Sequence, residues 1–520
     1  MLHPFLLAAL LGFFPLRAQI PLGTSLQPKS TAIAAGKPAK PQSPSSEIRG
    51  MVRSKDGSTW FGTSRGVIRF DGQRYQYFAG RRYLPDDEVL SLTGTANGAV
   101  DVHTNTGAVR LEMAPMTLGE KATLFEERIR LRHNRHGMIA DSHLAKPGDL
   151  ATNLPVSSDN DGLWTAIYGA AECFRYAATK SPEALALAKR SVEALLFLEQ
   201  VTGRPGFPAR SYILTDEPKP GEGFWYPTPD KKILWKADTS SDEIVGHFFL
   251  FSVAYDLLPD PALKKRIAAT AARIMDHLIA NGYNLIDVTG KPTRWGKWSP
   301  EYFESKDGKP DAPLNAVELL GFLRATRHFT GDPKYDAEYQ KAAVTLGYAK
   351  IAAKYAEWQE ELNYSDEELA MLSFYTLFRY ERDPALLPLY RDGLEQWWKN
   401  CQRENNPLWM LIYQYGNPGK KLDMRPAVKT LEEIPLDLIH WDVRNSHRPD
   451  IVFAEGKDRF NRREALTLLP AYERPVMKWN GNPFIVDGNH GGRSEDDGGF
   501  YLLPYWMGRY TKAWRETTLP

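Results

Sequence analysis

The chain has 520 residues and a formal net charge of +1, with both signs well represented among its 25% charged residues. That balance provides no global electrostatic attraction for nucleic acid or a strongly acidic polymer, so neither is expected as a partner. Cys173 and Cys401 fall in expected helices and read as buried thiols, able to pair only if the fold brings them together.

The chain opens on MLHPFLLAALLGFFPLRAQ, apolar from Phe5 to Phe14 with Ala18 at a cleavage position. The run is too short to span a bilayer, so residues 1–19 read as a secretory signal, although no Lys or Arg precedes the apolar core. No cysteine follows it to carry a lipid anchor. The expected location is therefore periplasmic or secreted, with no membrane span. Residues 20–47, rich in Pro, Ser, Lys and Ala, read as a flexible linker.

Residues 48–115 read as a small β domain. GSTWFGTSRGVIRF (Gly57–Phe70) recurs as GAVDVHTNTGAVRL (Gly98–Leu111), 41 residues further on and within the ~40–45 residues of one propeller blade. The first copy with its flanks resembles the regulator-type propeller repeat of bacterial periplasmic sensors. Two blades cannot close a ring, and the second copy carries Asp101 where the first has Trp60.

From residue 120 to 515 the pattern is helical hairpins. Ser181-Pro182, Asp260-Pro261, Asp332-Pro333 and Asp383-Pro384 each separate an apolar run from a charged amphipathic one. Ser or Asp caps an orphan N–H, and proline at the first helical position has no N–H to lose, so each dipeptide predicts a hinge between antiparallel helices. The leading runs are apolar nearly all round and predict an inner ring beginning near Asp161, Asp242, Asn315 and Asp366. The trailing runs, charged on one face, predict an outer ring. The expectation is a mainly α, (α/α)6-type toroid with a small N-terminal β domain.

Long connections fall at the end where inner helices begin, and they are rich in aromatics and charge. They supply Arg204, Arg210, Tyr212, Trp225, Tyr226, Trp235, Arg294, Trp295, Lys297, Trp298 and Tyr302. Aromatic planes interleaved with arginines suit stacking on sugar rings and pairing with a carboxylate. Arg135 and His136 precede the first inner helix, which carries Asp161 and Trp164. Near the C-terminus stand His440, Asp442, Asn445, His447 and Arg448. Ser240–Glu243 and Ser365–Glu368 both fit a capping box, which accounts for their glutamates. His247 lies one turn into its helix among phenylalanines, as a core residue or a pocket-facing acid or base. Asp159 and Asp161 do not complete a calcium loop, and Glu243 with His247 lacks a third ligand, so no metal and no cofactor are expected.

Architecture and loop chemistry resemble the (α/α)-barrel polysaccharide lyases, most closely the rhamnosyl-glucuronate lyase family, over residues 120–515. That resemblance implies β-elimination from a uronate-containing glycan with a tyrosine base. Tyr302 or Tyr212 would take the proton, Arg210 and Arg448 would neutralise the carboxylate, and His247 or His447 would act as acid. Asp161, Trp164, Trp295, Arg135, His136 and Asn445 would bind substrate. A glycoside hydrolase on the same ring would instead use two carboxylates from Asp161, Asp242, Asp442, Glu495 and Asp497. A carbohydrate-binding or sensing module would keep the aromatics without a convergent acid and base.

Overall fold

The computed structural model describes residues 17–21, 42–355, 362–488 and 490–515. The expected signal up to residue 16 and most of the linker lie outside the described residues. Arg17–Pro21 pairs in parallel with Arg110–Ala114.

Strands Gly50–Arg53, Thr59–Thr63, Gly66–Phe70 and Tyr75–Phe78 form an antiparallel meander, and Val89–Gly94, Val100–Thr104 and Gly107–Ala114 form a second. The two sheets share one core in which Trp60 packs near Phe78, Val100 and Leu111. Tyr472, from far along the chain, completes it. Tyr472 stacks on Phe78 at 5.7 Å, and the Tyr83 hydroxyl donates to the Tyr472 carbonyl at 2.8 Å. The β region is thereby fastened to the C-terminal segment instead of standing alone.

Leu118–Arg128 forms α1. Asp161–Thr179 (α2) and Pro182–Gln200 (α3) make a hairpin, as do Ser241–Leu257 (α4) and Pro261–Ala280 (α5). A short Pro300–Glu304 (α6) precedes Ala312–Thr330 (α7), whose partner is broken into Lys334–Gln340 (α8) and Tyr348–Ala352 (α9). Tyr364–Tyr380 (α10) pairs with Leu387–Cys401 (α11), and Pro407–Gly416 (α12) with Arg425–Glu433 (α13). Gly499–Thr511 (α14) is the last helix described.

Packing closes these helices into a ring. α2, α4, α7, α10, α12 and α14 follow one another, and α14 returns to α2. α3, α5, α8 with α9, α11, α13 and α1 lie against them as an outer layer. Inner helices are buried nearly all round, as α4 is from Ser241 to Ala254 with the exception of Asp242. Across the ring Phe249 and Tyr375 meet at 5.6 Å, so the centre is packed and a cleft can open only at a mouth.

Two of the four hinges cap as expected. Ser181 Oγ accepts from the Ala184 amide at 3.3 Å and Asp260 Oδ1 from that of Leu263 at 3.0 Å. At Asp332 the helix starts one residue late, at Lys334. After Asp383 a turn delays α11 to Leu387. α12 and α14, which the hinge pattern did not single out, supply the arc that closes the ring. Cys173 and Cys401 are both buried and free. Among the described residues no helix is long and apolar enough to cross a membrane.

Candidate functional site: a carboxylate-lined cleft at the ring mouth

Short hinges join α2, α4, α7 and α10 to their outer partners, so these four inner helices open at the same end, under the long connections. A cleft of about 950 Å³ opens there. The first turns of three inner helices build one wall: Asp242 on α4, Asn315 on α7, and Tyr364 and Asp366 on α10. The exposed side chains of Trp295 and Phe460 also line it. Acidic side chains suit this position, since each helix N-terminus carries partial positive charge.

Phe460 tips a hairpin of Phe453–Lys457 and Arg463–Ala465. Arg459 and Arg462 lie 5.3 and 5.0 Å from its ring, and Arg462 is held by Asp458 at 2.6 Å. Nothing in the helical pattern marks this hairpin. An aromatic between arginines at a turn, D-R-F-N-R, is the signal that could have found it.

The two capping boxes diverge. Ser240 and Glu243 form one, with Ser240 Oγ 2.7 Å from Glu243 Oε2. Ser365 and Glu368 do not. α10 opens two residues earlier, at Tyr364 behind Asn363, and makes no side-chain cap bond there. Glu368 is consequently turned into the interior, only 2% exposed. Burial pushes its carboxyl up to about 8. The charge of Asp242 adds to the rise, the Lys478 ammonium opposes it, and Asp497 adds again. Glu368 is thus a protonated acid at neutral pH within the field of a cleft carboxylate. Glu318, buried on α7 and receiving the Trp298 indole N–H at 2.7 Å, is also raised, by burial and then by Asp242, Asp366 and Asp311.

Lys478 is fixed by its surroundings. Burial works against its ammonium but is outweighed by Asp496 at 3.2 Å, Asp141 at 3.1 Å and Asp497 at 3.2 Å. Its Nζ lies 4.7 Å over the Trp164 ring. Both line a second pocket of about 340 Å³ beside the cleft.

Few of the residues expected from sequence reach these cavities. Trp295 lines the cleft and Trp164 the side pocket. Arg135, His136, Asp161 and Tyr212 do meet, but as a cluster bonded within itself at the start of α2. Arg135 donates to Asp161 at 2.8 Å and to the Tyr212 carbonyl at 2.6 Å, and His136 stacks on Tyr212 at 5.8 Å and pairs with Glu217. Arg210 is spent on the carbonyls of Asp159 and Asp238 and lies 3.7 Å from Glu243.

The expected catalytic residues do not converge either. His247 is fully buried, with its ring nitrogens at 2.6 and 3.1 Å from the carbonyls of Glu243 and Leu195, and burial lowers its pKa. The Tyr302 hydroxyl donates to Asp311 at 2.6 Å; burial and that carboxylate both raise its pKa, away from the phenolate a base requires. Burial raises Tyr212 likewise.

Asn445, His447 and Arg448 belong to the joint with the β region. Arg448 pairs with Glu473 at 2.7 Å and Asp450 at 2.8 Å beneath the Tyr77 ring, His447 stands 3.3 Å from the Tyr77 hydroxyl, and the Asn445 amide donates to the Glu473 carbonyl. Of the expected carboxylates, Asp442 accepts from the amides of His490 and Gly491. Burial opposes ionisation of Glu495, but bonds from His133 and Arg132 hold it down to about 2. Asp497 caps Gly499. Among the described residues no group of three or more His, Cys, Asp or Glu is placed to hold a metal.

No family profile and no curated protein matches the chain. Among solved structures, a sugar epimerase from a ruminal bacterium is similar at 12% identity and TM-score 0.39, covering 76% of this chain and 98% of its own. AaCel9A in complex with cellobiose-like isofagomine aligns at 12% identity and TM-score 0.41, over 90% and 98%. A family 76 glycoside hydrolase from a bovine Bacteroides thetaiotaomicron strain aligns at 9% and 0.27, over 74% and 96%. At such scores the likenesses carry no argument, and the toroid rests on the helix packing described above.

Proposed function

We propose that the chain is a carbohydrate-active enzyme that hydrolyses glycosidic bonds in the mouth of the toroid. The observation that carries this reading is the cleft wall. It carries carboxylates from two inner helices, Asp242 and Asp366, together with the aromatic side chains of Trp295 and Phe460, and the charge of Asp242 acts on the buried acid Glu368 of α10. Two carboxyl groups whose surroundings differ so strongly are what an acid–base pair needs.

In this reading Glu368 gives its proton to the glycosidic oxygen as the bond to the anomeric carbon breaks. Asp242 supports the attacking water by accepting a proton. Water is thereby added across the bond, with hydrogen on the leaving oxygen and hydroxyl on the anomeric carbon. Trp295 and Phe460 offer apolar faces for sugar rings, and Asn315 a group for hydroxyls.

β-Elimination finds less support, because the tyrosines expected as bases are pushed away from ionisation and the expected arginines are already paired. Export, if the first residues act as a signal, would put the enzyme where polymeric glycans occur.

The test is a panel of neutral and uronate-bearing glycans, assayed together for new reducing ends and for ultraviolet absorbance. Reducing ends without absorbance, lost in Asp242→Asn and Glu368→Gln, are expected. Absorbance from an unsaturated uronate would move the assignment to a lyase. Glycan binding without any product would leave a binding module.

A further inference from the structure

The 950 Å³ cleft and the 340 Å³ pocket are neighbours. Arg462, Asn480, Gly481 and Asn482 line both. The segment that carries three of these residues also carries Lys478, which reaches into the side pocket over Trp164. Asp242 therefore stands on one side of this partition and Lys478 with Asp496 on the other. The cavities also differ in size. Small-molecule sites span ~300–1,000 Å³, so the cleft is at the top of that range and the side pocket at the bottom. The side pocket has hydroxyl-binding chemistry: His440 and His490 lie 5.3 Å apart, and Asn480 lines the same pocket.

We propose that the side pocket is the subsite for the short end of a glycan whose longer part lies in the cleft, so that the chain crosses residues 480–482 and is cut there, releasing one or two sugar units at a time. This rests on the hydrolase reading and adds to it the direction and length of the product. The large cleft accommodates the remaining polymer, and the small pocket limits what is cut off.

An end-labelled glycan, the one best cleaved in the panel, tests this with the full chain. Early in the reaction, products of one or two units beside a slowly shortening remnant are expected; early products of mixed intermediate length would overturn the proposal. His143→Trp provides a second arm. His143 is exposed on its strand and lines the side pocket, so an indole there fills the pocket without disturbing the core. At least a tenfold fall in short-product release is expected, and an unchanged rate and product length would count against the subsite.

A third arm does not need turnover. A crystal of Glu368→Gln soaked with a hexasaccharide of each panel glycan should show sugar crossing residues 480–482 into the side pocket. Sugar in the cleft alone would overturn the subsite while leaving the hydrolase reading intact. Wild-type inactivity on every glycan, with sugar in both cavities, would do the reverse.

Discussion

At the α2 side of the mouth, Asp161 is fully buried and receives hydrogen bonds from Arg135, from Ser211 and from both the amide and hydroxyl of Ser158. At the α10 side, Glu368 is equally inaccessible, but its fixed cation, Lys478, is already shared among three aspartates. Burial raises both carboxyls. The first, though, is built into a network that locks α2 to the strand Ser211–Leu214, while the second has a cleft carboxylate, Asp242, among the charges that act on it. The lesson is that burial and charge do not mark chemistry by themselves. What separates a supporting carboxyl from a reactive one is whether neighbouring donors have already used its lone pairs.

The largest effect that would sharpen this contrast is kinetic. Glu368→Gln should lower glycan hydrolysis by about 10²–10⁴-fold, the range expected for losing a general acid, with binding retained. A variant with near-normal turnover would move the acid elsewhere in the cleft.

Next comes stability on the opposite side. Arg135→Met leaves Asp161 buried without its cation and should destabilise the fold by about 3–5 kcal/mol, measured by denaturant unfolding. Loss of activity without loss of stability would make Arg135 a substrate ligand after all.

Acidity separates the two regions further. Glu368 binds its proton up to about 8 in the folded chain, against 4.5 as the ordinary value. Between those limits the unfolded chain holds fewer protons than the folded one. Stability should therefore fall as pH rises from about 4.5 to 8 and level off above. Glu243, also raised to about 8 chiefly by burial, acts in the same direction. Glu368→Gln should flatten this slope in a series of thermal melts, and the activity of the native enzyme should fall as pH passes about 8. A slope unaffected by the substitution would place the titrating group elsewhere.

The smallest expected effect is at the aromatic wall. Trp295→Ala should raise KM about tenfold with kcat nearly unchanged, because an exposed stacking face contributes about 1–2 kcal/mol to ground and transition states alike. A fall in kcat alone would mean that Trp295 positions the reacting atoms.

Much of the helical plan was legible because it is local. Proline after Ser181 or Asp260 caps a helix by covalent geometry, and an all-round apolar run such as Ile244–Leu258 can only be an inner helix. The Ser240 capping box was legible for the same reason. Ser365–Glu368 shows the limit of such reasoning, since it satisfies the same pattern yet fails to cap once Tyr364 begins the helix two residues sooner. Composition cannot tell a rim arginine or tyrosine waiting for a ligand from one that, like Arg135 or Tyr302, already has a partner.

The sequence by itself determined the alternation of inner and outer helices, the end at which the long connections gather, and the aromatic and charged content of that end. These follow from side-chain periodicity and capping, which act over a few residues. Only the tertiary structure decided that α12 and α14 close the ring and that Tyr472 binds the β region to it. It alone brought Asp242, Lys478 and Asp497 to act together on Glu368. Those are contacts between distant segments, and their strength depends on burial and distance, which no local pattern encodes.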